Sequence, residues 1–259
     1  MANHNNKEWL YNKYINEKLS QTEIAKLCNV SRWTINDKLE KNNIQKRTIS
    51  ESVYIKRANH CNLSQEAIEW INGELLGDGC LTTTEKRGRK SYNVSALFRY
   101  GSKYKEYIEY IAKTLDSFGI KQSGKIIEYY NKRQNTYCYK YNSHSYKELF
   151  DIYKKWYPNG KKIVPKDIEL TPLTCRQWYI GDGSLIQRGN RNIKPFIVLC
   201  TMGFLFEDVN RLISKLNNLG LKATRYTKNT IYISAYSIKS FLNYIKKCPI
   251  DCYQYKWAI

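Results

Sequence analysis

The chain has 259 residues, enough for one large domain or two modest ones with hydrophobic cores. Its 43 Lys+Arg against 23 Asp+Glu leave a formal net charge of +20, which points to a polyanionic partner, nucleic acid first, with codon bias towards Lys, Asn, Ile and Tyr supplying part of the excess. No run approaches the ~18 apolar residues of a membrane span, MANHNNKEWL lacks a secretory core, and 8 cysteines without a CxxC pair argue against structural zinc, so a soluble cytoplasmic protein with reduced thiols is expected.

Residues 19–44, LSQTEIAKLCNVSRWTINDKLEKNNI, carry two helix starts in succession. Ser20 with Glu23 spells a capping box, with Leu19 and Ile24 as its hydrophobic staple; Ser31 repeats the device with Val30 and Ile35. Leu27-Cys28-Asn29-Val30 reads as the turn between them, Asn29 taking the left-handed conformation, and Ala25, Val30, Ile35 and Leu39 as the inner face. The segment resembles the helix-turn-helix DNA-binding family, with Asn29 in place of the usual glycine. That resemblance implies a second helix entering the major groove by its N-terminal end. Ser31, Arg32, Trp33, Thr34, Asn36 and Lys38 are then the candidate contacts. An ordinary helical hairpin with a solvated polar face is the plainer alternative. Residues 46–62 follow as a basic linker, in which Lys46 and Arg47 are placed to track a phosphate backbone.

Beyond residue 62 the chain repeats itself. WINGELLGDGCL (70–81) and RQWYIGDGSLI (176–186) both run an apolar helix-like segment into Gly-Asp-Gly. Ser64 is the N-cap of the first motif helix; Thr171 caps the second, with Pro172 where a missing N–H costs nothing. Both helices are expected to end just past Asp78 and Asp182, at Gly79 and Gly183. After the first motif, Ile108, Ile111, Leu115 and Phe118 form a helical stripe stopped by Gly119; after the second, Val209, Leu212, Leu216 and Leu219 are stopped by Gly220. Strands are expected at 91–100, 125–130, 136–141, 196–201, 223–227 and 230–235, with Gly88-Arg89-Lys90 and Arg188-Gly189-Asn190-Arg191 as basic hairpin tips.

Each half therefore reads helix, two strands, helix, two strands, helix. A single copy would leave its first helix uncovered, so the two are expected to pair about a pseudo-twofold axis, with Gly73 and Gly77 allowing close approach and Asp78 and Asp182 meeting at the base. Two carboxylates held together repel, and cations relieve this; magnesium suits the role because it needs few protein oxygens and keeps waters. The fold class is α+β: a tandem αββαββα repeat forming a DNA-binding saddle, plus a small all-α helix-turn-helix domain. Its segments are 1–45, the linker 46–62, the first repeat 63–157, a joint 158–168 and the second repeat 169–259.

INGELLGDG (71–79) and CRQWYIGDG (175–183) resemble the nine-residue signature of the LAGLIDADG homing endonucleases, in the monomeric two-motif form. The resemblance implies a monomer that cuts double-stranded DNA at a long site across the minor groove, leaving short 3′ overhangs. It implies two or three divalent cations, Mg2+ with Mn2+ able to substitute, held by Asp78 and Asp182 with the Gly77 and Gly181 carbonyls. Lys162 and Lys256 align with the basic residues the family places beside each scissile phosphate, although ordinary surface lysines are an equal reading. Arg87, Arg89, Lys90, Arg99, Arg188, Arg191, Arg225 and Lys228 are the candidate DNA contacts of the saddle.

Two departures from the family pattern stand out. Gln177 replaces a small residue at position three of the second motif, which predicts a looser helix contact. Ser102 and Met202 occupy the place of a polar residue near the site, which predicts unequal cutting of the two strands. The competing readings are a non-catalytic LAGLIDADG-derived transcription regulator and an RNA maturase. No splicing-type residues bracket the chain, so a free-standing or intron-encoded gene is expected.

Overall fold

A computed structural model describes residues 3–49, 51, 52, 55, 59–83, 94–133, 135–187, 194–228 and 230–258. The chain forms two compact units, divided between Ala58 and Asn59.

In the first unit, α1 (Lys7–Tyr11) continues through a π-helical turn, Asn12–Asn16, followed by α2 (Gln21–Cys28) and α3 (Arg32–Lys41). The capping box forms in full: the Glu23 amide donates to Ser20 Oγ (3.2 Å) and the Ser20 amide to Glu23 Oε2 (2.7 Å). Asn29 adopts φ 52°, ψ 44°, and the Val30 amide turns back to the Ala25 carbonyl at 3.0 Å. These bonds keep Leu27 and Cys28 inside α2, so the turn starts later than the expected Leu27–Val30. Ser31 Oγ accepts the Thr34 amide at 3.1 Å and starts α3. The core of the unit is Leu10, Tyr14, Ile24, Ala25, Ile35, Leu39 and Ile44. Leu10 and Tyr14 come from a helical segment capped by Asn6, whose Oδ1 accepts the Trp9 amide at 3.0 Å.

The second unit is the repeat. Its first half comprises α4 (Gln65–Leu76), β1 (Cys80–Thr83), β2 (Ala96–Ser102), α5 (Lys105–Ser117), β3 (Ile127–Asn131), β4 (Thr136–Asn142) and α6 (Lys147–Trp156). Its second half comprises α7 (Pro172–Asp182), β5 (Gly183–Ile186), β6 (Phe196–Cys200), α8 (Phe206–Asn218), β7 (Ala223–Thr227), β8 (Thr230–Ile233) and α9 (Ile238–Ile245), closed by a 3-10 segment, Asp251–Trp257. Each half builds one antiparallel four-stranded sheet, in the orders β1-β2-β4-β3 and β5-β6-β8-β7.

Strand alternation turns Ala96, Phe98, Tyr100 and Tyr141 in the first sheet, and Ile197, Leu199, Ile231 and Ile233 in the second, into one shared core with the helices. That leaves the other face of each sheet open. Gly119 and Gly220 stop α5 and α8 at φ 80° and 78°, as expected of left-handed caps. The expected strand residues 91–93 and both basic hairpin tips lie outside the described residues.

α4 and α7 pack side by side at the centre. A Cβ on Gly73 would lie 2.5 Å from the Thr174 carbonyl oxygen and 2.8 Å from Gln177 Cβ, and one on Gly77 3.3 Å from Gly181 Cα. The looseness expected from Gln177 does not occur. Gly73 faces it and makes room, and its buried amide donates to Tyr110 Oη at 3.1 Å. Thr171 Oγ1 and Thr174 Oγ1 add bonds to the Glu69 side chain (2.9 Å) and carbonyl (3.1 Å).

The two motif helices end differently. α7 runs to Asp182 with Gly183 as its cap, as expected. α4 stops earlier, at Leu76, because the Gly77 and Gly79 amides both fold back onto the Glu74 carbonyl, at 3.1 and 2.8 Å. The joint before α7 is pinned to α8: Asp208 Oδ2 accepts the Val164 amide (3.0 Å) and Arg211 donates to the Val164 carbonyl (2.7 Å).

Candidate functional site

The glycine seam of α4 and α7 delivers the two acids to one place. With Gly77 and Gly181 in van der Waals contact, a Cβ on Gly181 would sit 3.3 Å from the Asp78 amide nitrogen, and one on Gly77 would sit 3.7 Å from that of Asp182. Burial pushes the Asp182 carboxyl up to about 7, and the nearby Asp78 charge adds to the rise, against the pull of Lys162 and Lys256. Asp78 is raised as well, chiefly by burial, with Lys256, Lys162 and the Tyr100 hydroxyl opposing.

Lys162 Nζ donates to the carbonyls of Gly77 (3.2 Å) and Gly79 (2.9 Å); Lys256 Nζ donates to those of Tyr179 (3.3 Å) and Ile180 (2.5 Å). Burial lowers both ammonium groups, Lys256 to about 8, while both aspartates hold them up. Asp78, Asp182, Lys162 and Lys256 thus form one electrostatic unit, which places neither lysine on an ordinary surface. Of the two expected carbonyl ligands, that of Gly77 is engaged by Lys162. An open cavity of about 730 Å3 lies over the site, lined by Asp78, Gly181, Ser102, Tyr104, Tyr253 and Lys256. Ser102 is therefore at the site as expected, whereas Met202 is 72% exposed and does not line it.

Glu74 is a feature no motif announced. It is fully buried one turn before Asp78, accepts a 2.6 Å bond from Tyr107 Oη, and is pushed up to about 8 by burial and by Asp78 against that bond. Burial under the helix pair therefore favours its neutral form. The signal was present in INGELLGDG as a Glu four residues ahead of Asp78, on the same helical face. Tyr107 in turn packs edge-on against Tyr100 and Tyr253, with ring centroids 5.4 and 5.0 Å away.

The candidate DNA contacts fare unevenly. Arg99 lies on the open face of the first sheet, paired across to Cys80 and Asn142. Lys228 is exposed at the β7–β8 turn. Arg225 is a correction: alternation puts it on the helix side with Ala223, where its guanidinium lies 4.0 Å over the Phe206 ring and bonds Asn210 Oδ1 (2.7 Å) and the Phe206 and Lys228 carbonyls. It clamps β7 to α8. Arg87, Arg89, Lys90, Arg188 and Arg191 lie outside the described residues.

In the first unit, Ser31 caps α3, Arg32 is exposed, and Trp33 is 74% exposed at its start. Thr34, Asn36 and Lys38 are half-buried on the same helix. Lys46 pairs with Glu40 and reaches Asn36 Oδ1 at 3.3 Å. Arg47 is a second correction, since it is no free phosphate contact. It donates to the Tyr14, Lys18 and Leu19 carbonyls at 2.6, 3.1 and 2.5 Å and stacks on the Tyr14 ring at 3.9 Å. Its charge is spent tying the π-helical turn to the segment after α3, past the expected domain end at residue 45.

A tandem αββαββα unit whose paired helices bring two aspartates and two lysines under an open double sheet is the architecture of a DNA endonuclease family. The chain belongs to the LAGLIDADG DNA endonuclease family, whose model matches residues 68–241. Among its relatives, "Uncharacterized protein MJ1098" of Methanocaldococcus jannaschii is 28% identical over 212 residues, 81% of this chain and 77% of that one. "Probable intron-encoded endonuclease 1" of Wickerhamomyces canadensis is 25% identical over 202 residues, 75% and 84% of the two chains. The fold is that of the homing endonuclease I-WcaI, solved bound to its DNA recognition sequence: TM-score 0.63 at 24% identity, covering 85% of this chain and 98% of that one. No helix among the described residues is long and apolar enough to cross a membrane.

Proposed function

We propose that the protein is a site-specific homing endonuclease that hydrolyses one phosphodiester in each strand of a DNA duplex, working as a monomer because one chain carries both motifs. The observation that carries this reading is the meeting of Asp78 and Asp182 at the foot of the helix pair, flanked by Lys162 and Lys256. Two buried carboxylates raised by burial and mutual repulsion suit divalent cations, and an all-oxygen donor set suits magnesium, with manganese as substitute. Asp78 and Asp182 would hold the ions, with the Gly181 carbonyl, and that of Gly77 if Lys162 yields it. When bound, they would supply an activated water and charge neutralisation for in-line displacement. Lys162 and Lys256, tethered to the motif ends, would offset charge on the phosphates. The neutral Glu74 would keep a third negative charge away from the pair.

The helices of the first unit support a helix-turn-helix that lengthens the target. Arg32 and Trp33 at the start of α3 would face the duplex, with Thr34, Asn36, Lys38 and Lys46 behind them. The test is incubation with a randomised duplex library in magnesium or calcium, with Asp78→Asn and Asp182→Asn alongside. Double-strand breaks that require magnesium and vanish in both variants are expected. Tight, selective binding with no cleavage would instead assign a transcription regulator.

A further inference from the structure

The open faces of the two sheets differ in chemistry. On the first, Arg99 sits between Cys80 and Asn142, and Lys140 lies on the neighbouring strand facing Ile127. Both cations act on the Cys80 thiol, so both stand near the motif end. Among the described strands of the second sheet the sole charged residue is Arg225, and it is turned to the helices, while Lys194 and Lys222 stand beyond the strand ends over the Tyr236 ring. With Leu185, Ile197, Leu199, Ile231 and Ile233 committed to the core side, the open face carries Ser184, Val198, Tyr232 and Thr224 in one row across all four strands. Phe196, Tyr226 and Tyr232 form an aromatic slab beside that row, with centroids 5.1 to 6.0 Å apart. The row begins at Ser184, two residues past Asp182.

We infer that the second sheet reads its half-site by apolar contact with thymine 5-methyl groups, helped by the Ser184, Thr224 and tyrosine hydroxyls, while the first sheet reads guanine through Arg99 and Lys140. This rests on the nuclease reading and adds the composition of the target to it. The chemistry follows from the major groove. Guanine offers two acceptors that a cation satisfies; thymine alone offers a methyl group, which rewards an uncharged apolar surface. A row of described residues with no cation in it lacks the bidentate cationic donor that guanine rewards, and setting Val198 and the ring slab against a charged or strongly hydrated edge would cost desolvation. The target is therefore asymmetric: rich in thymine where the second sheet lies, and holding guanine where the first sheet lies.

The full chain and calcium suffice for the test. A target is selected from the randomised library, and a photo-crosslinking phenylalanine analogue at position 226 marks the half bound by the second sheet. Deoxyuridine then replaces thymine one position at a time, removing only the methyl. Binding is expected to weaken about threefold to fourfold at two or more positions of the marked half, from the transfer free energy of one buried methyl, and to change less than twofold in the other half. Val198→Ala should shrink the thymine-over-uracil ratio, and Arg99→Gln should relax guanine preference in the unmarked half only. A selected site whose marked half ignores deoxyuridine, or a stronger effect in the unmarked half, overturns the inference and leaves the nuclease reading standing. A library that yields neither an enriched site nor magnesium-dependent breaks overturns both.

Discussion

Lys162 and Lys256 hold equivalent stations: one grips the carbonyls of Gly77 and Gly79 at the end of the first motif, the other those of Tyr179 and Ile180 near the end of the second. Each lysine lies at or just past the end of its own repeat and returns to that repeat's motif, the arrangement expected if each serves one scissile phosphate. Lys162→Met or Lys256→Met should slow one strand's cleavage by about 10²–10³-fold, the usual effect of losing one preorganised charge. Supercoiled plasmid would then accumulate as nicked circle. Linear product at the wild-type rate would show that the lysines only shape the backbone.

Gly73 is the tightest point of the helix pair. Gly73→Ala gains about 1 kcal/mol of helix propensity but drives a methyl into backbone at 2.5 Å. Overpacking wins, and a net loss of about 1–3 kcal/mol is expected in urea unfolding. An unchanged midpoint would mean that the helices can separate freely.

The pH dependence follows from two shifted groups. Asp182, raised from 3.8 to about 7, contributes stability that is complete below pH 4 and lost as pH rises through 7 in the metal-free protein. Asp182→Asn should therefore stabilise that state by roughly 1–3 kcal/mol at pH 8 and change little at pH 4. Cleavage should rise with pH towards 7 as the carboxylate ionises, and fall above 8 as Lys256, lowered from 10.5 to about 8, loses its charge. Raising magnesium should move the acidic limb to lower pH and leave the alkaline limb in place. A profile flat from pH 6 to 9 would dismiss both assignments.

Arg47 is predicted to act on stability alone. Arg47→Ala strips three carbonyl bonds and a ring contact from the first unit, costing about 1–3 kcal/mol. The salt dependence of DNA binding should keep its slope, whereas a loss of about one unit, as from a phosphate contact, would contradict the structure.

The repeat was legible because its signals are local: Ser64 and Thr171 caps, Gly119 and Gly220 stops, and period-two strands such as ALFRY. The meeting of Asp78 with Asp182 was legible because two copies of one motif had to bury the same face. Direction in space was harder to read. Arg225 is basic and lies on a strand, and only the parity set by Ala223 shows that it points away from the open face. Arg47 looked like a linker cation until Tyr14, 33 residues earlier, folded beneath it. Glu74 was visible as a letter, but what favours its neutral form is its complete burial, which only tertiary packing supplies.

The most direct measurement is anomalous diffraction from crystals of the protein bound to its selected duplex in manganese. The account predicts strong peaks between the Asp78 and Asp182 carboxylates and next to the two scissile phosphates. Metal bound elsewhere, or the two carboxylates turned away from each other with no peak between them, would contradict it.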